Sequence, residues 1–242
     1  MNLIHFVSLG PGKPDLVTLR VLHLLQEADF ILCPATKMGS KTGSRAKTVI
    51  SDLGIEEEKI HTFVLPMSPD RSYAKEAYTN AAETIIAEYR TGKKIVVAAE
   101  GDISIYASIH YMMNYIQKKG IAIQQECGIP SFIAATETEN FPLILLEERL
   151  AVVPGNVSTE ELEQYMQTHH TVVIMKLSRC KEAVKEFIRT YPHQYVYRYS
   201  ENVSVEERFY FTTSPEDILE KDFPYFSILT IAPKRTLLLE ED

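Results

Sequence analysis

The first half of the chain alternates short apolar runs with segments of helical periodicity. Apolar runs at 3–9, 30–33 and 95–99 predict buried strands, because each is short and is bounded by polar or turn-forming residues. Apolar side chains recur at helical spacing over residues 16–28, and a long helix is expected over residues 72–89. Strands that alternate with helices in this way predict an α/β domain built on a mostly parallel sheet.

The pattern changes in the second half, where alternating helices and strands give way to a run of strands. This arrangement predicts a mixed sheet with an antiparallel component. We therefore expect two α/β domains, residues 1–118 with a mostly parallel sheet and residues 119–242 with a mixed sheet. The elements predicted for the second domain are helices at 159–167 and 181–191 and strands at 171–176, 195–199, 208–211 and 227–232.

Composition and charge limit the binding partners, metal sites and cellular location that the sequence predicts. The formal net charge of −8 over 242 residues argues against binding to nucleic acid or anionic lipid, although it leaves room for a basic pocket. The three cysteines form no CxxC pair and the seven histidines show no metal-ligand spacing, so neither a metal site nor a disulfide framework is predicted. No signal peptide and no membrane span are expected, which predicts a cytoplasmic protein with reduced thiols.

A glycine-rich turn, Gly10-Pro11-Gly12, follows the first predicted strand and precedes the first predicted helix. Open α/β sheets bind ligands at the carboxyl ends of their strands, so this turn indicates a binding edge. Two familiar phosphate-binding motifs do not match. Lys13 is followed by Pro14 instead of Ser or Thr, and Asp15 stands where the dinucleotide motif needs its third glycine. A plain strand-to-helix turn is the alternative interpretation.

Two further turns have the same arrangement. Glu100-Gly101-Asp102 follows a buried strand and is expected to open a helix that runs to Tyr115, with Asp102 as a candidate helix cap. Cys127-Gly128 follows another predicted strand and precedes a helix that begins at Ser131. Three glycine turns at strand ends favour one shared ligand site over three independent caps. The sequence offers no nucleophile–base–acid set.

Residues 36–46 form a polar segment that predicts a loop. Its basic side chains, Lys37, Lys41 and Arg45, with Lys47 just beyond, are unusual in so acidic a chain. In the second domain, Met175 ends a predicted strand. It is either ordinary core or a polarizable contact for an aromatic ring.

Four motifs stand in a fixed order along the chain. They are Leu9-Gly10-Pro11-Gly12-x-Pro14-Asp15-Leu16-x-Thr18-Leu19, Glu100-Gly101-Asp102-x-x-x-Tyr106, Gly128-Ile129-x-Ser131-Phe132 and Met175-Lys176. This set, which covers essentially the whole chain, resembles the tetrapyrrole methylases, the class III methyltransferases that use S-adenosylmethionine. Within that superfamily the chain is most similar to the C20-methyltransferases of cobalamin synthesis, which act on precorrin-2 or its cobalt-containing counterpart. Ile103 and Cys127 depart from the pattern, since each stands where a proline is usual.

The resemblance implies S-adenosylmethionine as cofactor, folded in a cleft between the two domains, with S-adenosylhomocysteine as product. It also implies a small tetrapyrrole as substrate, direct methyl transfer to carbon C20, and a homodimer. Asp102, on a loop of the cleft, is a candidate for the base that removes the C20 proton. By the same resemblance, the methionine portion of the cofactor would lie near Gly101, Asp102, Tyr106, Ser131 and Phe132, the adenosine near Met175, Thr230, Ile231 and Ala232, and the tetrapyrrole near Gly10, Pro11, Gly12, Lys37, Lys41 and Arg45.

Other functions stay open on the sequence alone. The same fold and cofactor would serve methylation of another corrin position, or of a protein or RNA, although the acidic charge disfavours RNA. A nucleotide-sensing or interaction module without chemistry is a further alternative. The sequence does not decide whether the macrocycle carries cobalt, because no residue is required to ligate the metal.

Overall fold

The computed structural model of the chain describes three stretches of residues, 3–38, 41–66 and 71–235. The chain divides into two compact units, Met1–Ser131 and Phe132–Asp242. Each unit contains its own sheet flanked by helices, which confirms the prediction of two α/β domains.

The first unit contains a sheet that is parallel apart from one hairpin at its edge. Its described strands are β1 (Ile4–Ser8), β2 (Phe30–Met38), β3 (Lys41–Gly43), β4 (Ile60–Leu65), β5 (Ile95–Ala99) and β6 (Ile123–Glu126). They are arranged in the order β3-β2-β5-β1-β6, and β4 pairs with β2 outside this path. Because β1 lies between β5 and β6, and both pairs are parallel, the three strand ends that carry the predicted turns are neighbours.

Helices pack against both faces of this sheet. They are α1 (Leu19–Glu27), α2 (Arg45–Asp52), α3 (Arg71–Arg90) and α4 (His110–Lys118). The short helix α5 (Ser131–Ala134) begins at the last residue of the first unit and continues into the second. Successive residues of a strand point to opposite faces. Accordingly, Ile4 and Phe6 of β1 belong to the core formed with α3 and α4, whereas Val7 belongs to the core formed with α1 and α2.

The predicted loop over residues 36–46 is wrong, because most of this segment forms a hairpin. Strand β2 continues through Pro34 to Met38 and pairs antiparallel with β3. Pro34 is accommodated because the pairing of β2 with β5 ends at Leu32, so no hydrogen bond of that pair depends on its missing N–H. The exposed hairpin at the sheet edge needs no alternating apolar side chains, and the sequence therefore carries no strand pattern there.

Two boundaries also differ from expectation. The segment after Asp102 does not open a helix directly; α4 begins at His110, and the residues between them form turns. The predicted domain boundary at residue 118 lies before β6, yet β6 pairs with β1 and belongs to the first sheet. The compact units accordingly divide after Ser131.

The second unit contains the predicted mixed sheet. Its described elements are β7 (Arg149–Val153), α6 (Thr159–Gln167), β8 (His170–Met175), α7 (Lys181–Thr190), β9 (Tyr195–Glu201), β10 (Tyr210–Thr212), α8 (Pro215–Glu220) and β11 (Ser227–Pro233). The strand order is β10-β9-β11-β8-β7; β7 and β8 are parallel and the other described pairs are antiparallel. One face of the sheet packs on the helices through a core that includes Ile174, Phe187 and Ile231.

The remaining helical segments are short 3-10 turns. They lie at Pro14–Leu16, Glu57–Lys59, Ala135–Thr138, Leu177–Arg179 and Glu206–Arg208. Among the described helices, none is long and apolar enough to cross a membrane.

Candidate functional site

Two of the predicted glycine turns are joined directly at the carboxyl edge of the first sheet. The N–H of Gly10 donates to the carbonyl oxygen of Gly101 at 3.1 Å, and the N–H of Gly101 donates to the carbonyl oxygen of Gly10 at 2.7 Å. Both residues have a φ of 71°, a left-handed conformation that glycine adopts without strain. The ends of β1 and β5 are therefore fixed to each other by main-chain groups.

The third turn is fixed to the first two by the hydroxyl of Ser8, the last residue of β1. This buried hydroxyl donates to the carbonyl oxygen of Glu126 at 2.8 Å and accepts the N–H of Ile103 at 3.0 Å. Ser8 thus links the end of β1 to β6 and to the loop after β5. Ser8 is not among the predicted site residues, although a hydroxyl inside the apolar run at 3–9 is a detectable signal.

Asp102 links the same loops through its carboxylate. One oxygen accepts the N–H of Gly128 at 2.7 Å, and the other accepts the N–H of Ser104 at 2.8 Å and also the Ser104 hydroxyl. Burial of the Asp102 carboxyl opposes its ionisation, but these hydrogen bonds outweigh burial and lower its pKa. The N–H groups of Ile103 and Ser104, directly after this turn, are thus bonded to the side chains of Ser8 and Asp102.

Gly128 lies where three backbones meet. A Cβ at this position would be 2.5 Å from the Cβ of Ser8 and 3.3 Å from the carbonyl oxygen of Gly101. Any larger residue would push the turns apart. The structure therefore brings the three predicted glycine turns together in one cluster.

Space is left open beside Gly101. A Cβ built on Gly101 meets no atom within 4 Å, although the residue sits between tightly packed neighbours. Tyr106 follows in the turn segment before α4, with a φ of 51° and a side chain that is 39% exposed. His110 Nε2 contacts the carbonyl oxygen of Ile103 at 2.9 Å and so fixes the far end of that segment. Ser131 is half-buried at the start of α5.

The predicted basic residues lie on the hairpin and on α2, and Arg45 contacts the residue that precedes Gly101. Lys37 is exposed on β2, and the Nε of Arg45 lies 3.5 Å from the Oε2 of Glu100. Burial raises the pKa of the Glu100 carboxyl, against the opposing effects of Arg45 and of the Ala46 N–H. Lys41 belongs to β3 by its backbone, but its side chain lies outside the described residues.

In the second unit, Met175 ends β8 and is half-buried. The next residue, Lys176, has left-handed dihedrals of φ 59° and ψ 43°. Its carbonyl oxygen would lie 2.1 Å from a Cβ on Gly155, so the turns after β7 and β8 are in backbone contact. Phe132 is buried, with 6% exposure.

Thr230, Ile231 and Ala232 lie on β11, whose main chain pairs with β8 and β9 on its two sides. The side chain of Ile231 packs in the second core, whereas Thr230 and Ala232 point to the opposite face. Thr171 lies on the same face as Thr230, because Val173, two residues further along, is the register partner of Thr230. Within the described stretches, the buried Thr171 hydroxyl oxygen has no hydrogen-bond partner.

The described part of the chain contains no cluster of His, Cys, Asp and Glu side chains that could hold a metal ion. The strand ends offer main-chain amides and carbonyls, the held carboxylates of Asp102 and Glu100, and the cation of Arg45.

Known proteins share this sequence pattern and geometry. Residues 3–218 match the family model described as tetrapyrrole (corrin/porphyrin) methylases. The chain is 28% identical over 179 residues to a probable cobalt-precorrin-2 C(20)-methyltransferase of Methanocaldococcus jannaschii, covering 74% of each chain. It is 27% identical over 176 residues to a cobalt-precorrin-2 C(20)-methyltransferase of Salmonella typhimurium, covering 72% of each.

A solved structure shares the fold. The uroporphyrin-III C-methyl transferase of Thermus thermophilus, crystallised in complex with S-adenyl homocysteine, superposes with a TM-score of 0.66 at 17% identity. The superposition covers 96% of this chain and 92% of that one.

Proposed function

The chain belongs to the tetrapyrrole (corrin/porphyrin) methylase family, and from that premise we propose that it methylates carbon C20 of precorrin-2 or its cobalt-containing counterpart. The methyl donor in this proposal is S-adenosylmethionine. The observation that carries the proposal is the similarity to two relatives named for this activity, over 74% and 72% of this chain. The cluster of three turns at the strand ends supports it, since open α/β sheets bind ligands at this edge.

The residues of the first unit fit the proposed cofactor. The open space beside Gly101 admits a ligand against the main chain, and the Gly10–Gly101 pair and Asp102 hold the surrounding backbone in place. When bound, S-adenosylmethionine supplies a methyl group activated by a positively charged sulfur. Gly101, Asp102 and Tyr106, with Ser131 and Phe132, keep their assignment to its methionine portion as a proposal.

The second unit offers side chains of suitable chemistry for the adenosine. Met175, Thr230 and Ala232 keep that predicted assignment, and the buried Thr171 hydroxyl supports a polar ligand group on this face of the second sheet. Ile231 would act through the core beneath them, since its side chain packs there.

The substrate assignment depends on charge. Precorrin-2 carries several carboxylates, and Lys37 and Arg45 offer cations on the hairpin and at the start of α2. Gly10, Pro11 and Gly12 line the same strand end. Lys41 stays a prediction, because its side chain is outside the described residues.

Most of the rate acceleration should come from the positioning of substrate and cofactor. The electron-rich macrocycle carbon is itself the nucleophile, so the protein needs to align that carbon with the methyl group and needs no activated side chain. Asp102 as general base stays a prediction. Its lowered pKa and its hydrogen bonds to Gly128 and Ser104 favour a role in holding the loops.

Asp102→Asn separates these two roles. An amide has one acceptor oxygen, so either Gly128 or Ser104 loses its acceptor, and we expect affinity for S-adenosylmethionine to fall about tenfold. The kcat at saturating cofactor should change by less than about threefold, whereas loss of a general base lowers kcat by about 10²–10⁴-fold. Calorimetry and steady-state kinetics measure the two quantities. A large loss of kcat with unchanged cofactor affinity would establish Asp102 as the base.

A direct assay tests the proposed function. The protein is incubated with S-adenosylmethionine carrying a ¹³C-labelled methyl group and with precorrin-2, with and without cobalt. The expected product is heavier by one labelled methyl, and carbon NMR should locate that methyl at C20. Transfer at another ring position would overturn the C20 assignment, and no transfer to either tetrapyrrole would overturn the substrate class.

We also propose a cytoplasmic homodimer. Cys33, Cys127 and Cys180 are free thiols, which supports a reducing compartment. Exposed apolar side chains of the second unit, Leu146 at 87% and Tyr225 at 66%, are compatible with a subunit interface. Light scattering on the purified protein measures the oligomeric state, and a monomer at micromolar concentration would contradict the dimer.

A further inference from the structure

Arg45 occupies an unfavourable place for a cation. It is the first residue of α2, and Lys47 follows two residues later. The amino end of a helix carries a partial positive charge, which disfavours basic side chains there. A contact with another group is therefore needed to keep the guanidinium of Arg45 near the helix end and out of bulk solvent.

Glu100 provides that contact. Its Oε2 lies 3.5 Å from the Nε of Arg45. The Glu100 and Arg45 side chains are only 28% and 27% exposed, so the pair is shielded from much of the solvent. The carboxylate of Glu100 thus holds the side chain of Arg45 in a partly buried ion pair.

The start of α2 is fixed on its other side by Ser44. The Ser44 hydroxyl donates to the carbonyl oxygen of Pro34 at 2.6 Å and accepts the N–H of Lys47 at 3.0 Å. The helix is therefore attached to β2 through Ser44 and to the end of β5 through Glu100. Because Glu100 directly precedes Gly101, these contacts place the guanidinium of Arg45 at the carboxyl edge of the sheet.

We propose that Glu100 is a positioning residue that acts through Arg45, holding its guanidinium at the strand ends to receive a carboxylate of the substrate. The inference rests on the proposed function, since the anion concerned is the polycarboxylate macrocycle. Glu100 itself does not touch substrate.

Two effects of removing Glu100 oppose each other. Loss of a negative charge favours an approaching anion, whereas release of Arg45 restores rotamer entropy that must be lost again on binding. Release also exposes the guanidinium to the unfavourable field of the helix amino end, so the side chain turns away. Loss of orientation is therefore the larger effect, and substrate binding weakens.

The test is a double-mutant cycle on substrate KM. Glu100→Ala removes the contact with Arg45, and we expect KM for the tetrapyrrole to rise about tenfold while the affinity for S-adenosylmethionine stays within twofold. Glu100→Gln keeps an oxygen acceptor beside Arg45 but loses the negative charge, and should give a smaller rise. In an Arg45→Met background, which has already lost the guanidinium, Glu100→Ala should cause no further rise.

Glu57→Gln is the matched control. The Oε2 of Glu57 lies 2.7 Å from the Nζ of Lys47, so this variant removes another acidic partner from the same helix end without touching Arg45. Its KM should match that of the wild type.

Every outcome of the double-mutant cycle either supports or overturns the inference. Independent, additive effects of Glu100→Ala and Arg45→Met, an unchanged KM, or a lower KM would overturn it. A wild-type protein that neither binds nor methylates precorrin-2 would overturn the proposed function, and this inference with it. Methyl transfer by the wild type with an additive cycle would overturn the inference alone.

Discussion

Gly101→Val abolishes cofactor binding while the protein stays folded. The substitution places a branched side chain in the open space beside the joined strand ends, where the proposed cofactor approaches the main chain. It also forces a β-branched residue to a φ of 71°, which is a strained conformation. We expect the affinity for S-adenosylmethionine to fall by about a hundredfold or more, measured by calorimetry.

Gly54→Val is the matched control for strain. Gly54 has a φ of 77° and lies in the turn after α2, and a Cβ added there, as at Gly101, would meet no atom within 4 Å. Both variants should lose a similar amount of thermal stability, whereas only the Gly101 variant should lose the cofactor. Retention of cofactor affinity within twofold by a folded Gly101→Val protein would remove this turn from the proposed binding site.

Gly155→Ala destabilises the second unit. The added Cβ would lie 2.1 Å from the carbonyl oxygen of Lys176 and 2.9 Å from its carbonyl carbon. These are backbone atoms that no side-chain rotation can move, so the turns after β7 and β8 must separate. Forced overpacking of this kind costs about 1–3 kcal/mol, and we expect the free energy of unfolding to fall by at least that amount in urea titrations.

Gly155→Ala should also weaken cofactor binding. The displaced residue, Lys176, directly follows Met175, which is assigned to the proposed adenosine contact. Gly43→Ala is the control: a Cβ there meets no atom within 4 Å, and surface changes of this type stay within about 0.5 kcal/mol. If Gly155→Ala unfolds at the wild-type urea concentration and binds cofactor normally, the close approach of the two turns has no energetic importance.

Elements with strong local signals were predictable from the sequence. Helix α6 spans residues 159–167 as predicted, and the structure shows a reciprocal capping box at its start. The Glu161 N–H donates to the Ser158 hydroxyl at 3.2 Å, and the Ser158 N–H donates to the Glu161 carboxylate at 2.8 Å. Apolar periodicity and capping chemistry act within one turn of the chain, so a single sequence reveals them.

Features that depend on distant partners were not predictable. The hydrogen bond from Ser8 to Glu126 joins residues 118 positions apart, and the pairing of β6 with β1 spans a similar distance. Asp102 illustrates the same limit within the site. Its sequence neighbours suggest a helix cap, but the structure uses the carboxylate to hold Gly128, so the helix begins only at His110.

The late start of α4 has a consequence for redesign. The backbone between Asp102 and His110 is fastened at its beginning by Ser8 and Asp102 and at its end by the contact of His110 with Ile103. Its middle, which includes the exposed Tyr106, contributes no strand to the sheet. Residues 105–108 can therefore be exchanged or lengthened while the sheet and its three joined strand ends stay intact. Because Tyr106 is assigned to the methionine portion of the proposed cofactor, a library at these positions should change the affinity for that cofactor and leave the joined strand ends in place.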